Sequence, residues 1–322
     1  MRFFHKYGSL NYRFFGLVDN ILLKREKKQK YTSAINYLER YTYILDKRYT
    51  EKPSNKYPDK IWQCWFQGQN NMPFIVKKCT DSVQKYHGER VIFLDKTNIF
   101  DYINLPQYII DKHSKGIIPY ANFSDILRLS LLLKHGGCWV DSTIFLTEKI
   151  PDEILNSDFF TFRSFKTNIL KYVDNIDDFN LWSNHLNSVI SIESPYFIKA
   201  KAGNPIINGV LNLFLEYWKY ENEVKDYLMI DKFFILTLLH NKTYREAFLN
   251  MPEYYIENVL MLQHAQFEEF NQNIFDKIKS FSSVHKLTHK NLKRNPYKNS
   301  FLEYILHFDF DNISSDREGN LV

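Results

Sequence analysis

Asp125, Arg128, Asp141 and Thr143 lie close together in the chain and are residue types that can hold a charged ligand. Carboxylates and a hydroxyl are oxygen donors for a hard divalent cation, and a guanidinium grips phosphate oxygens in pairs. Asp125 and Arg128 are three residues apart, so on a helix they share a face. Apolar neighbours surround all four, and a buried charge costs several kcal/mol unless it is paired or bound to a metal. An ordinary ion pair of Arg128 with Asp125 or Asp141 would satisfy that requirement as well as a binding site would.

The elements that must position these groups can be read around them. Phe123, Ile126, Leu127 and Leu131 recur at helical spacing, widened by Leu129 and Leu132, which predicts a largely buried helix. Asn122 is its expected cap, with Asp125 in the first turn near the free backbone amides. Gly136-Gly137 should stop it, because glycine enters the left-handed region at little cost. Cys138-Trp139-Val140 then reads as an inner strand with Asp141 at its end, followed by Ser142 and Thr143.

Upstream, Ile61–Phe66 reads as a first strand closed by Gln67-Gly68, with Trp62 and Trp65 on it. A helix from Pro73 to Tyr86 and a strand from Val91 to Asp95 follow, then short helices at 99–100 and 106–114. This alternation predicts an α/β fold, a mostly parallel sheet with helices on both faces and ligands at the C-terminal ends of the strands. Further strands are expected at 159–162 and 196–200, and helices at 204–220, from Asp231 to Leu239, and at 299–307. Residues 166–188 are polar and read as a long loop. Residues 31–49 continue a helical pattern, and Pro53 and Pro58 mark a linker. The expected organisation is an N-terminal helical extension over 1–55, one domain over 56–310 and a flexible tail over 311–322.

Ser124-Asp125-x-x-Arg128 followed by Gly136-Gly137-x-Trp139-x-Asp141-x-Thr143 resembles the DXD-type glycosyltransferases that use sugar nucleotides. The capsular polysaccharide synthesis group is the most similar, with yeast-type mannosyltransferases and clostridial glucosylating toxins as related families. Ser282-Ser283-Val284-His285-Lys286-Leu287-Thr288-His289-Lys290 resembles the closing His-Lys-Leu-Thr element of that group. The resemblance implies a GT-A-like mixed sheet, a nucleotide-sugar donor (UDP-linked), a glycan or lipid-linked glycan acceptor, and retention of configuration. It also implies a Mn²⁺ or Mg²⁺ ion held by Asp141, Thr143 and His285. It places Asp125, Arg128 and Asp141 on the donor, Trp65 or else Trp62 under the base, and Lys286 or Lys290 on the diphosphate. Asp231, and Asn184 or Asn187, become candidates beside the sugar. Thr143 stands where a second aspartate is usual, and a neutral hydroxyl is a weaker ligand for a hard cation.

Composition narrows the alternatives. The net charge of +5 is concentrated at the start: residues 1–30 carry eight basic side chains against Asp19 and Glu26, which is +6. The rest is close to neutral, so nucleic acid is not an expected partner. The basic start, with Phe14, Val18, Ile21 and Leu22 at helical spacing, suggests peripheral contact with an anionic membrane at the cytoplasmic face, against a plain packed helix. Cys64, Cys79 and Cys138 form no metal or redox pair, and no apolar run reaches the roughly 18 residues of a membrane span. No dinucleotide fingerprint, P-loop, zincin motif or serine elbow is present. Two other readings share the pathway or the fold: a sugar-phosphate transferase with Asp141 as nucleophile, and a non-catalytic glycan-binding scaffold.

Overall fold

The structure, a computed structural model, describes residues 26, 29–47, 53–54, 56–173, 175–179, 194–290, 292 and 298–310. Asn184 and Asn187, most of the basic stretch 1–30 and the tail 311–322 lie outside the described residues.

The strands in chain order are β1 (Ile61–Cys64), β2 (Val91–Leu94), β3 (Gly137–Val140), β4 (Ile144–Leu146), β5 (Phe159–Thr161), β6 (Phe197–Ala200) and β7 (Val284–Lys286). Five of them form the mixed sheet β2-β1-β3-β6-β5. β1 pairs in parallel with β2 and β3, while β6 runs antiparallel to β3 and β5. Each parallel neighbour requires a crossover, supplied by helix Phe74–His87 between β1 and β2 and by helices Gln107–Ser114 and Tyr120–His135 between β2 and β3. β4 and β7 make a separate antiparallel pair with Ile144 opposite Lys286. This is the expected mixed, helix-flanked sheet, with its parallel core at β2-β1-β3.

Side chains alternate across the strands, so the sheet builds two cores. Trp62, Trp139 and Ile198 pack with Leu127 and Leu131 of helix Tyr120–His135, Phe214 of helix Pro205–Tyr220 and Phe233 of helix Met229–His240. Ile61, Cys138, Val140, Phe160 and Phe197 face the other way, toward β4 and Val259. A third cluster joins Val76 and Cys79 of helix Phe74–His87 to Phe145, Phe275, Phe301 and Phe308. Tyr31, Ile35, Leu38 and Tyr41 are buried in the first of these cores, so the described part of the N-terminal segment packs on the sheet domain.

The join between helix Tyr120–His135 and β3 depends on two glycines with φ of 69° and 96°. A Cβ at Gly136 would lie 2.7 Å from the Ala202 amide, and one at Gly137 would lie 2.4 Å from the Lys60 carbonyl oxygen. The helix can therefore turn into the centre of the sheet only without side chains there.

Some expectations are corrected. Asn122 does not cap its helix, which begins at Tyr120 behind Pro119 with no side-chain cap; Asn122 is buried within the first turn. Asp125 consequently sits beyond the first turn, away from the free amides. Phe165–Lys171 is a 3-10 helix rather than loop, held down by buried Leu170 and Val173. β4, β7 and the helices Lys242–Leu249, Ile256–Ala265 and Gln272–Phe281 had no clear sequence signal.

Candidate active site

A cleft of about 470 Å³ opens at the C-terminal ends of β1 and β3. Trp65, Ser124, Asp125, Arg128, Asp141, Thr143 and Lys286 all line it. These side chains come from four separate pieces of chain: the turn after β1, the helix carrying Asp125 and Arg128, the turn after β3, and β7.

The turn after β3 is fixed on both sides. Ser142 Oγ donates to the Cys64 carbonyl oxygen at 2.8 Å, and the Asp141 amide donates to the Tyr196 carbonyl oxygen at 2.9 Å. The Leu287 amide donates to the Thr143 carbonyl oxygen at 2.9 Å, tying the turn to β7. β4 pairs with β7 in the register that brings Lys286 over the two oxygen side chains. Lys286 Nζ lies 2.9 Å from Asp141 Oδ2 and 2.5 Å from Thr143 Oγ1, and sits over the Tyr196 ring.

Arg128 closes the other side. Its guanidinium donates to the Ser124 carbonyl and hydroxyl oxygens and to the Pro195 carbonyl oxygen. It lies 3.4 Å from Asp125 Oδ1 and 3.7 Å from Asp141 Oδ1, above the face of Trp139. Trp139 Nε1 donates to Asp141 Oδ1 at 2.8 Å. The structural ion pair and the binding site thus share one set of groups.

The two carboxylates titrate in opposite directions. Burial pushes Asp125 up to about 7; Arg128 opposes this and Asp141 adds to it. Burial also pushes Asp141 up, but Lys286 and Arg128, with hydrogen bonds from Lys286 and Trp139, outweigh it and hold the carboxyl below its ordinary value. At neutral pH Asp141 is an anion between two cations, while burial favours the protonated form of Asp125. Burial holds the nearby His289 below its ordinary value, helped by Lys286 and Lys290, so it is neutral. Cys64 on the cleft wall is no nucleophile, since burial pushes its thiol up to about 12.

Several sequence candidates fall elsewhere. Trp62 is fully buried and donates its indole N–H to the Gly136 carbonyl oxygen, so it belongs to the core and cannot meet a ligand. Trp65 does line the cleft, edge-on to His289 at 5.6 Å between ring centroids. His285 is fully buried, with Nε2 3.1 Å from Thr147 Oγ1, and burial pushes it down to about 3. It and Lys286 are successive residues of one strand and point to opposite faces, so His285 cannot join Asp141 at a metal. Asp231 is buried off the cleft wall, where Tyr31 Oη donates to it at 2.9 Å. Its neighbours Tyr227 and Leu228 reach the cleft mouth instead, on a turn anchored by buried Lys232 against Asp226 and the Leu228 carbonyl oxygen. Lys290 is exposed and is not on the cleft wall.

The metal implied by the resemblance does not suit these residues. A hard cation takes about six or more oxygen ligands, carboxylates prominent among them. Only Asp141 offers an ionised carboxylate, both of its oxygens face cations, and the Thr143 hydroxyl receives Lys286. Among the described residues no group of three or more His, Cys, Asp or Glu is gathered to hold an ion.

Sequence reasoning missed Tyr196, His289 and Tyr120 on the cleft wall, and from the Tyr227-x-x-x-Asp231 pair it took Asp231 where Tyr227 is the one that lines the cleft. Tyr120 and His289 neighbour residues already singled out, but only the fold shows which neighbours turn inward.

A comparison with known proteins agrees with the motif reading. The chain is 22% identical over 179 residues to the O-glycosyltransferase braB of Annulohypoxylon truncatum, covering 52% of this chain and 39% of that protein. It is 25% identical over 162 residues to the uncharacterized glycosyltransferase L373 of Acanthamoeba polyphaga mimivirus, covering 49% and 56% respectively. The chain thus spans about half the length of these curated relatives or less. Among solved structures, the PaToxG glycosyltransferase aligns over 82% of this chain and all of its own, at 17% identity and a TM-score of 0.41. The sequence profile of the capsular polysaccharide synthesis proteins matches residues 17–305, nearly the whole of the chain. The protein belongs to the capsular polysaccharide synthesis protein family.

Proposed function

We propose that the cleft binds a nucleotide-activated sugar and transfers the sugar to a growing surface glycan, making the protein a glycosyltransferase of polysaccharide synthesis. The observation that carries this reading is the meeting of Arg128, Lys286 and Asp141 beside Trp65 at the ends of the parallel strands. Two cations against one ionised carboxylate suit a diphosphate. The aromatic at the rim suits a base, and the Asp125 carboxyl, raised by burial, can donate to or accept from sugar hydroxyls. Family membership and the two glycosyltransferase relatives support the same reading. A UDP-linked donor, a glycan or lipid-linked glycan acceptor, retention of configuration and contact of residues 1–30 with anionic lipid belong to the proposal too.

In the reaction the donor C1–O bond breaks and its electron pair stays with the diphosphate oxygen. The acceptor hydroxyl forms the new C1–O bond, and its proton leaves on the released diphosphate. Arg128 and Lys286 stabilise the charge that collects on that diphosphate, the kind of contribution that dominates many rate enhancements. Asp141 keeps both cations in place and orients sugar hydroxyls through its remaining lone pairs.

Thermal melting in the presence of UDP-, GDP- and ADP-linked sugars tests this. One class should raise the midpoint, since ligand at 100 times its Kd adds about 2.7 kcal/mol to stability. The same donor should be hydrolysed slowly without acceptor. No shift and no hydrolysis with any donor would end the glycosyltransferase reading; shift without turnover would leave a binding protein.

Trp65→Ala should weaken nucleoside diphosphate binding by roughly 1–3 kcal/mol in calorimetry, the value of a base stacked on an aromatic ring. Its midpoint should stay near wild type, because Trp65 is only partly buried. Unchanged affinity would place the base elsewhere in the cleft.

A further inference from the structure

We propose that Lys286 takes the place of a divalent cation in this protein: its ammonium, seated between Asp141 and Thr143, is the electrophile for the donor diphosphate, and transfer proceeds without a metal. The inference rests on the glycosyltransferase reading and deepens it.

Geometry is the first support. Lys286 Nζ lies 2.9 Å from Asp141 Oδ2 and 2.5 Å from Thr143 Oγ1, the two side chains to which the family resemblance assigns the metal. An ion bound between those oxygens would have to displace the ammonium into a cleft already holding Arg128. Like charges brought together there would repel, and only one ionised carboxylate would remain to neutralise them all.

The missing second carboxylate is the next support. A pair of aspartates carries two negative charges and balances a divalent ion, whereas Asp141 with Thr143 carries one and balances one ammonium. Thr143 and Lys286 therefore fit each other in both charge and shape. Thr143 Oγ accepts a hydrogen bond from an ammonium as readily as water would, but is a weak ligand for a hard cation.

The frame that delivers Lys286 is rigid as well. It lies on β7, paired to β4 directly after the Asp141–Thr143 turn, and its ammonium sits over the Tyr196 ring. Only 19% of the side chain is exposed, and that part faces the cleft. A lysine so held is a fixed point charge with a third N–H left for a phosphate oxygen. With His285 turned into the core, no other described residue completes a set of metal ligands.

Calorimetry of the full chain with UDP, in EDTA and then with added Mn²⁺ or Mg²⁺, gives the direct test. A bridging metal and a nucleotide must tighten each other reciprocally, by about 5- to 150-fold for ordinary couplings. We expect UDP to bind in EDTA and its affinity to be unchanged by either ion. Donor hydrolysis should likewise persist in EDTA. Lys286→Ala should lose about 10²-fold in turnover, as expected for removing one preorganised electrostatic group, and should not be rescued by Mn²⁺. Lys286→Arg should retain part of the UDP affinity, which guards against loss through misfolding alone. Activity or UDP binding that appears only with a divalent ion would overturn the proposal while leaving a glycosyltransferase. Absence of binding in every condition, with GDP and ADP tried as well, would bring down the functional reading and this inference with it.

Discussion

Asp141→Asn should cut donor turnover by about 10²- to 10³-fold, as seen when one preorganised polar group is lost from an active site, while the protein still melts cooperatively. Asp141 is the one carboxylate in the cleft held ionised, because Lys286 and Arg128 overcome its burial. Its Oδ1 receives Trp139 Nε1 and faces Arg128, and its Oδ2 receives Lys286. An amide of the same shape keeps the Trp139 hydrogen bond but turns an N–H₂ group toward a cation. Lys286 and Arg128 would then repel each other with nothing between them, and both would shift away from the positions that meet the diphosphate. Free nucleoside diphosphate should still bind, since the cleft has become more positive, so the loss should appear in kcat more than in affinity. Near wild-type kcat in the variant would remove Asp141 from the reaction.

What the sequence reveals of this site follows from how local each signal is. The helix, glycine pair and strand from 120 to 141 can be read directly, because buried apolar spacing, two left-handed glycines and a short apolar strand each act within a few residues. The C-terminal half is harder. β4 and β7 are three residues each, too short for alternation to register, and they find each other across more than a hundred residues of chain. That pairing decides the chemistry, because its register aims Lys286 into the cleft and His285 into the core, and a shift by one residue would reverse them. Trp62 and Trp65 illustrate the same limit. Both lie at the start of the sheet, yet Trp62 is inside β1 and fills the core while Trp65 lies just past its end, at the rim. Asp231 opens an apolar helix and reads there as a cap or, by the resemblance, as a residue beside the sugar, but Tyr31, two hundred residues away, donates to its carboxylate.

Asp125→Asn should make the protein more stable above neutral pH even as it lowers activity. Burial raises the Asp125 carboxyl from an ordinary 3.8 to about 7, whereas in the unfolded chain it returns to the ordinary value. Between those two pH values the folded state holds a proton that the unfolded state has released. Stability must therefore fall as pH rises through that window, and the loss is complete above it. Each tenfold change in proton affinity is worth about 1.4 kcal/mol, so the full cost is on the order of a few kcal/mol. That cost is already net of the opposing pull of Arg128, 3.4 Å away. Asparagine has no proton to lose. Its melting midpoint should thus match the wild type near pH 4 and exceed it increasingly from pH 5 to 8. Arg128 would keep Asp141, Ser124 and the Pro195 carbonyl oxygen as partners, so the variant leaves no unpaired cation behind. Turnover should fall nonetheless, because an amide can carry neither the carboxylate's negative charge nor its exchangeable proton. Melting curves of wild type and variant followed from pH 4 to 8 decide the matter: a constant offset across the range would mean that Asp125 titrates normally and that burial is not what tunes it.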